Sequence, residues 1–583
     1  MKKFISAWLA ALLMFASVSA VHAANAYPYA IEPQFRWVSD FKDGFAEYST
    51  VDGKKGFIDK AGKMSVIPSE ILENVNTFPH ADGMMKVYHK ETNKCGYLNA
   101  EGKLAIEMKY DTCFDFSEGM AAVGVNGKLG FIDKSGREVV KPQYDFVHEF
   151  REGMAVVCVE PKLDPGTYFS LDDYNCGYIN ANGKLVVPLE TKHYYAHDFS
   201  DGLGQMDTTF YDKNGNVAFR WKNNIFITSF YNGAAIAGVP GGLGLVDKTG
   251  KQISKAYDEI YNFRDGMAVV LKGNKFGYID LKGREVVPPK YDSAFNFIDG
   301  TARVLEFSRQ GNEITTITTI LIDKSGKELA RSKTNKVIMA YYHDYINRDE
   351  DRLLFPAINE EEKVGIVNRL GEVVIPYIYD SAYFISEDYL KTVKDGKFGF
   401  IHKSGYEIKP QFKAVNGFVE GMAAVQDAET GLWGFIASPF ATAKPNTSKL
   451  LVDGKEMIMQ AYNINGNNYF KLRDLAMALN GTAKSFAIEW DGSAGAITLV
   501  PEKPYTSIGG ELAVSDRPSE TEAVLSVSPI YLNENPVSIY PYLINGNNYF
   551  KLRDIAKLIN FGVIWNPAAK TIEIDTSKNY VEN

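Results

Sequence analysis

Residues 118–150, EGMAAVGVNGKLGFIDKSGREVVKPQYDFVHEF, are a sentence that the chain rewrites along most of its 583 residues. An acidic-Gly pair opens an apolar run. An Asn-Gly turn leads to Gly-aromatic-Ile-Asp, and a second turn ends in Gly. Another apolar run and a Tyr-Asp segment then close on Phe. The central signature returns as GFIDKAG (56–62), GYLNAEG (96–102), GYINANG (177–183), GLVDKTG (244–250), GYIDLKG (277–283), GIVNRLG (365–371) and GFIHKSG (399–405). Worn copies stand at 210–215 and 320–326, and a truncated one at 434–438. Undisturbed copies lie about 33–36 residues apart, a period that marks a repeat architecture.

Each copy predicts about three short strands, as at 267–271, 276–280 and 284–287. Several of these runs are apolar at nearly every position. That pattern suits strands covered on both faces by stacked neighbours. The fold class is therefore mainly β, an array of about eleven meander repeats, read as open and curved because unit lengths vary too much for simple rotational closure, with propeller-like rings as the alternative. Phe57, Tyr97, Phe131, Tyr178, Tyr278, Phe400 and Phe435 share one phase of the repeat. They read either as a core ladder or as an aromatic binding face for sugar rings or an extended polymer. The Asp of Asp-x-x-Gly (Asp59, Asp133, Asp247, Asp280, Asp323) reads as turn chemistry, with calcium as the alternative. Regularity fails at 198–230 and 307–351, where an array admits binding insertions or harmless drift.

The pattern resembles the bacterial WG-repeat family, whose units carry Trp-Gly, Tyr/Phe-Ile-Asp, a Gly turn and Pro-x-x-Tyr-Asp. The resemblance covers residues 35–440. The family's Trp survives only at Trp433, and its place elsewhere holds residues such as Cys95, Leu129, Cys176 and Phe276. The resemblance implies an exported or surface-associated protein and no reaction.

A linker, 441–448, precedes a different duplication. INGNNYFKLRD occurs at 464–474 and again at 544–554. Each copy predicts a hairpin, then a helix with one apolar face. That face is Leu472, Leu475, Ala476 and Leu479 in the first copy, and Leu552, Ile555, Ala556 and Ile559 in the second. A Trp follows in each, Trp490 and Trp565, before a last strand. The unit reads as two small α+β domains, 449–505 and 526–583, joined by a connector at 506–525. It resembles the stalk-like domain similar to the N-terminal domain of copper amine oxidases. The oxidase's copper ligands and quinone-forming Tyr belong to another domain, and no Asn-Tyr-Asp/Glu occurs here. Neither copper nor amine oxidation is expected.

Residues 1–23 read as a secretory signal: Lys2 and Lys3, an apolar run, then Val21-His22-Ala23 as a cleavage site. An uncleaved membrane anchor is the alternative; no other apolar run is long enough to span. An exported chain permits disulfides. Val125-Asn126-Gly127-Lys128 reads as a two-residue hairpin placing Gly124 opposite Leu129. Cys158 takes the Gly124 position and Cys176 the Leu129 position, so these two pair. Cys95 and Cys113 pair by elimination. Four free buried thiols are the alternative, and no Cys-x-x-Cys suggests zinc.

Net charge is −9, which argues against a phosphate-backbone partner. His193 and His197 stand four apart beside Asp198, but in a β context rather than the helix that spacing would need for a metal. No nucleophile motif, phosphate loop or paired catalytic carboxylate stands out. No catalytic residue, metal or cofactor is expected. The chain reads as an exported, non-enzymatic binding or scaffold protein, secreted or cell-wall associated. A cell-wall polymer or surface protein is the expected partner. An enzyme acting on an extracellular polymer, or a ligand-free spacer, are the alternatives.

Overall fold

A computed structural model describes residues 27–161, 174–190, 196–221, 226–311, 313–334, 352–515 and 518–582, so the expected signal lies outside the described residues. The chain divides into two compact units, residues 31–434 and residues 1–30 with 435–583. Among the described residues no helix is long and apolar enough to cross a membrane.

The first unit is a succession of antiparallel meanders. In one of them Glu259–Ile260, Met267–Lys272, Lys275–Asp280 and Glu285–Tyr291 lie side by side in chain order. The pattern predicts three strands. The fourth comes from the Tyr-Asp segment, whose continuation pairs Glu259 with Leu271 and Ile260 with Val270. The Gly of each Gly-aromatic pair has a steric cause. A Cβ on Gly277 would stand 2.4 Å from the Val287 carbonyl oxygen, because the last strand crosses there too closely for any side chain.

Successive residues of one strand point to opposite faces. Met267 and Val269 pack with Ala302, Val304, Ile320 and Ile322 of the next meander. Ala268 and Val270 pack with Leu245 and Tyr257 of the previous one. Each core therefore belongs to two meanders, which is why the strands are apolar throughout and why one meander alone has no core.

The seven in-phase aromatics are buried: Phe57, Tyr97, Phe131, Tyr178, Tyr278, Phe400 and Phe435 are each at most 2% exposed. Tyr97, Phe131, Tyr178 and Tyr278 meet Phe116, Phe150, Phe199 and Phe297 of the next meander edge-on, with centroids 4.9 Å apart. The Tyr97 and Tyr278 hydroxyls donate to the Phe114 and Phe295 carbonyls. These rings join meanders and offer no stacking face to a ligand, which corrects the reading of them as an aromatic binding face.

The array's ends, expected to stay apart, are joined. Ile31–Val38 is hydrogen-bonded on one side to Phe45–Thr50 of the first meander and on the other to Trp433–Ala437 of the last. A Cβ on Gly434 would stand 2.5 Å from the Ile31 carbonyl oxygen, as one on Gly130 would stand 2.3 Å from that of Val140. Ile31–Val38 thus fills the fourth-strand place of the last meander, and the array is closed rather than open.

The second unit does not hold two separate small domains. Lys449–Val452, from the first copy, pairs in parallel with Thr571–Asp575 from the second. Ala496–Pro501, from the first copy, pairs in parallel with Ile530–Leu532 from the second. Asn467–Lys471 and Asn547–Lys551 pair antiparallel at the centre of a closed six-stranded barrel. Phe440–Pro445, in the stretch read as a linker, is another strand of that barrel. The helices Leu472–Ala478 and Leu552–Ile559 bury the predicted faces, Leu472, Leu475, Ala476 and Leu479 with Leu552, Ile555, Ala556 and Ile559, in one shared core.

Candidate binding cleft on the turn face of the repeat unit

The acidic-Gly marker turns the chain from the first strand of a meander into the second. Its acid adopts a left-handed backbone, with φ of 52° at Glu118, 52° at Glu152 and 50° at Asp265. This conformation frees the N–H groups of the turn, and the carboxylate of the preceding meander accepts them. Glu118 accepts from Glu152 N–H at 2.8 Å and Gly153 N–H at 2.7 Å. Glu152 does the same for Asp201 and Gly202, at 2.7 and 2.8 Å. Asp82 takes Gly119 N–H at 2.6 Å, and Asp265 takes Gly300 N–H at 2.6 Å. Glu420 of the last meander takes Gly44 N–H of the first at 3.0 Å, carrying the chain of contacts across the closure.

A lysine from the Asp-x-x-Gly turn of the following meander completes several of these links. Lys134 reaches Asp82 at 2.7 Å, Lys213 reaches Glu152 at 3.2 Å and Lys60 reaches Glu420 at 2.9 Å. The Tyr-Asp marker works in the same way on another turn. Asp292 accepts Phe307 N–H at 2.8 Å and Lys275 at 2.7 Å, and Asp380 accepts Asp395 N–H at 2.8 Å and Lys363 at 2.7 Å. Sequence reading identified these acids as markers but missed their role. The signal was their fixed spacing ahead of a Gly.

These bonds set the acids' ionisation. Burial pushes Glu152, Asp265 and Glu420 up. The lysine and backbone N–H groups facing each one outweigh it, and all three stay below the ordinary carboxyl range. With a depressed carboxyl, the unfolded state binds protons first as pH falls. The links therefore stabilise fully above the unfolded values, about 4, and are lost as pH falls through the lower folded values. The urea midpoint of the protein is expected to hold from pH 7 to about 5 and to drop steeply below about 4. A midpoint unchanged down to pH 3 would show the links to be idle.

Two turns depart from the pattern. Asn232 stands in one acid position. Arg352 stands in another: Leu354 pairs with Asn368 as Met120 pairs with Asp133, so Arg352 matches Glu118. Alongside both turns lies a cavity of about 710 Å³, lined from successive turns by Tyr231, Arg264, Asp299, Arg352, Glu387 and Lys403, among others. Arg352 Nη1 donates to the Ser386 carbonyl at 2.9 Å, and its guanidinium lies 4.6 Å from the Phe384 ring centroid. Its buried Nε has no hydrogen-bond partner among the described residues. Lys403 lies 3.1 Å from Asp299 and 3.0 Å from Asp388. Burial works against its charge, but the two carboxylates outweigh burial and raise its pKa. Tyr231 is 58% exposed, and Arg264 and Glu387 are exposed. The cleft offers held cations, carboxylates and an open aromatic ring within reach of one ligand.

The four cysteines form the expected pairs, Cys95–Cys113 and Cys158–Cys176. Cys158 and Cys176 are register partners across one hairpin, with Cα atoms 4.1 Å apart. Cys95 and Cys113 instead tie one meander to the next, 6.1 Å apart at Cα. The Asp-x-x-Gly acids are turn acceptors: Asp59 Oδ1 takes Ala61 and Lys63 N–H at 3.0 and 2.8 Å, and Asp280 takes Lys282 and Arg284 at 3.0 and 2.9 Å. The Ser135 hydroxyl, Arg137 and the turn's N–H groups outweigh burial and hold the Asp133 carboxyl down at about 2. His193 lies outside the described residues. Among those described, no group of three His, Cys, Asp or Glu is placed to hold a metal.

Residues 96–128, 130–161, 244–276, 276–306, 365–398 and 398–429 match the family described as WG containing repeat. No curated protein matches the chain. Among solved structures the chain is similar to the computationally designed Ika8 protein, at 12% identity over 64% of this chain and 96% of that one, TM-score 0.24. It is similar to a eukaryotic initiation factor at 11% identity over 66% and 89%, TM-score 0.27. It is also similar to PorZ, a surface component of the type-IX secretion system of Porphyromonas gingivalis, at 8% identity over 93% and 89%, TM-score 0.17. Overlaps this weak carry no inference to this chain.

Proposed function

We propose that this is an exported, non-enzymatic binding protein of the cell envelope, whose repeat unit holds a polar cell-wall or surface ligand in the cleft beside Arg352. The observation that carries the reading is the interruption of the turn contacts. At Asp82, Glu118, Glu152, Asp201, Asp265 and Glu420 a carboxylate spends itself on the neighbouring turn. At Asn232 and Arg352 it is missing, and the charged cleft lies there. Two disulfides agree with an oxidising compartment. In this reading the second unit anchors or orients the first.

The test is retention of the mature chain on purified cell walls, with Arg264→Glu as the probe variant. Arg264 is exposed, so the variant is expected to melt like the parent. Reversing a charge at a ligand contact should weaken retention by roughly tenfold or more. Equal retention of both proteins would remove the cleft from the function. Failure of the parent to bind would remove the wall as its ligand.

A further inference from the structure

The second unit carries two related grooves, and the antiparallel pairing of the duplicated motif creates both. Phe470 pairs with Phe550, Tyr469 with Lys551 and Lys471 with Tyr549. The Phe pair therefore marks an internal two-fold axis. About it, Tyr462 meets Tyr549 at 5.3 Å as Tyr469 meets Tyr542 at 5.4 Å. Such crossing sets the Asn-Asn start of each strand beside the Lys-Leu-Arg end of the other. One groove, about 260 Å³, is lined by Lys471, Arg473 and Trp490 of the first copy with Asn547 and Asn548 of the second. Its twin, about 540 Å³, is lined by Lys551, Arg553 and Trp565 of the second copy with Asn467 and Asn468 of the first.

The chemistry of the two grooves is the same and is unusual for this chain. Trp490 is 61% exposed and Trp565 45% exposed, although both are large apolar side chains on strands. Each groove holds a Lys and an Arg and no carboxylate in its lining, in a chain of net charge −9. Neither Arg473 nor Arg553 forms an ion pair among the described residues, and both are exposed. An open indole offers a flat apolar face, paired Asn amides offer donors and acceptors, and the cations require a negative charge.

We propose that the twin grooves bind an acidic polysaccharide: a sugar ring packs on each indole, its carboxylate faces the Arg, and its hydroxyls meet the Asn pair. Pyranose rings have an apolar face bordered by hydroxyls, which matches this arrangement. Two copies of one site on one body suit a polymer that presents the same sugar repeatedly, since the second contact becomes intramolecular. The larger groove adds Asn446 and Asn463, whose side-chain amides donate to Asn468 Oδ1 at 2.8 and 3.3 Å and hold that Asn in place. This site lies on a different unit from the Arg352 cleft and does not depend on it.

The experiment is affinity electrophoresis of the full mature chain in gels containing polygalacturonate, its methyl-esterified form or poly-glutamate. The parent should be retarded by polygalacturonate and far less by the ester. Trp490→Ala and Trp565→Ala should each weaken retardation about tenfold or more, and the pair should abolish it. Arg473→Gln with Arg553→Gln should reduce it while preserving the fold. Undiminished retardation of the double Trp variant, equal binding of the ester, or tighter binding of poly-glutamate would each overturn the proposal. Wall retention lost in Arg264→Glu alone, with no effect of the Trp variants on either assay, would leave the cleft standing and remove the grooves.

Discussion

A chain lacking Ile31–Val38 is expected to lose cooperative folding of the repeat unit at both ends at once. The strand buries Ile31, Phe35 and Val38, each at most 5% exposed. At about 1.5–3 kcal/mol per buried side chain, an upper estimate, the loss is comparable with the whole stability of an ordinary domain. Deletion also leaves two strands with open edges, Phe45–Thr50 and Trp433–Ala437. The milder variant is Gly434→Ala, whose new Cβ meets the Ile31 carbonyl oxygen at 2.5 Å. It should cost about 1–3 kcal/mol, as overpacking does elsewhere. Hydrogen exchange decides between closed and open arrays. Closure predicts that protection falls together in Phe45–Thr50 and in Met422–Gln426, which are far apart in sequence. If deletion loosens Phe45–Thr50 and leaves Met422–Gln426 protected, the ends are independent and the closed arrangement is wrong.

Closure was legible in the sequence, in the residues just ahead of the first GFID copy. Glu32-Pro33-Gln34-Phe35 repeats Lys141-Pro142-Gln143-Tyr144, the fourth strand of a complete meander, before any meander has begun. A fourth strand with no first three belongs to a unit completed elsewhere, and the truncated copy at 434–438 lacks one. The inner character of the strands was equally plain, because Met154–Val159 is apolar at every position and all but its last residue are buried. The contacts of the markers were not legible. Glu118 could have capped its own turn; that it serves Glu152 and Gly153 depends on how one meander leans on the next, which no local pattern encodes. The cleft was half visible. The irregular stretches at 198–230 and 307–351 end beside Tyr231 and Arg352, but only three-dimensional register shows that Arg352 stands where other units carry an acid. The aromatic phase misled in the opposite sense. Period alone cannot say which side of a strand is wet, and every ring of that phase lies in a core.

The duplicated half gives the other large effect. Expressed alone, residues 441–505 should not fold, although they contain a complete copy of the repeated motif. Leu450 and Val452 pair with Ile572 and Ile574, and Ile497 and Leu499 pair with Ile530 and Leu532. A single copy therefore leaves two sheets without their partner strands. It also exposes the shared core, in which Phe470, Leu475 and Phe486 of one copy pack with Phe550, Ile555 and Phe561 of the other. Mixing residues 441–505 with 518–583 should restore a cooperative melt, since the two segments complement one another. Within the intact chain, Phe470→Ala should cost about 3–5 kcal/mol. Phe550→Ala should cost a similar amount. The double variant should cost less than the sum, because the two residues are register partners in one core. A sharp, concentration-independent melt of residues 441–505 on their own would contradict the exchange of strands. The twin grooves depend on that exchange, since the Asn pair and the Lys-Leu-Arg of each site come from different copies. Folding and binding in this half should then fail together under Phe470→Asp, while Trp490→Ala combined with Trp565→Ala, both exposed, removes binding alone.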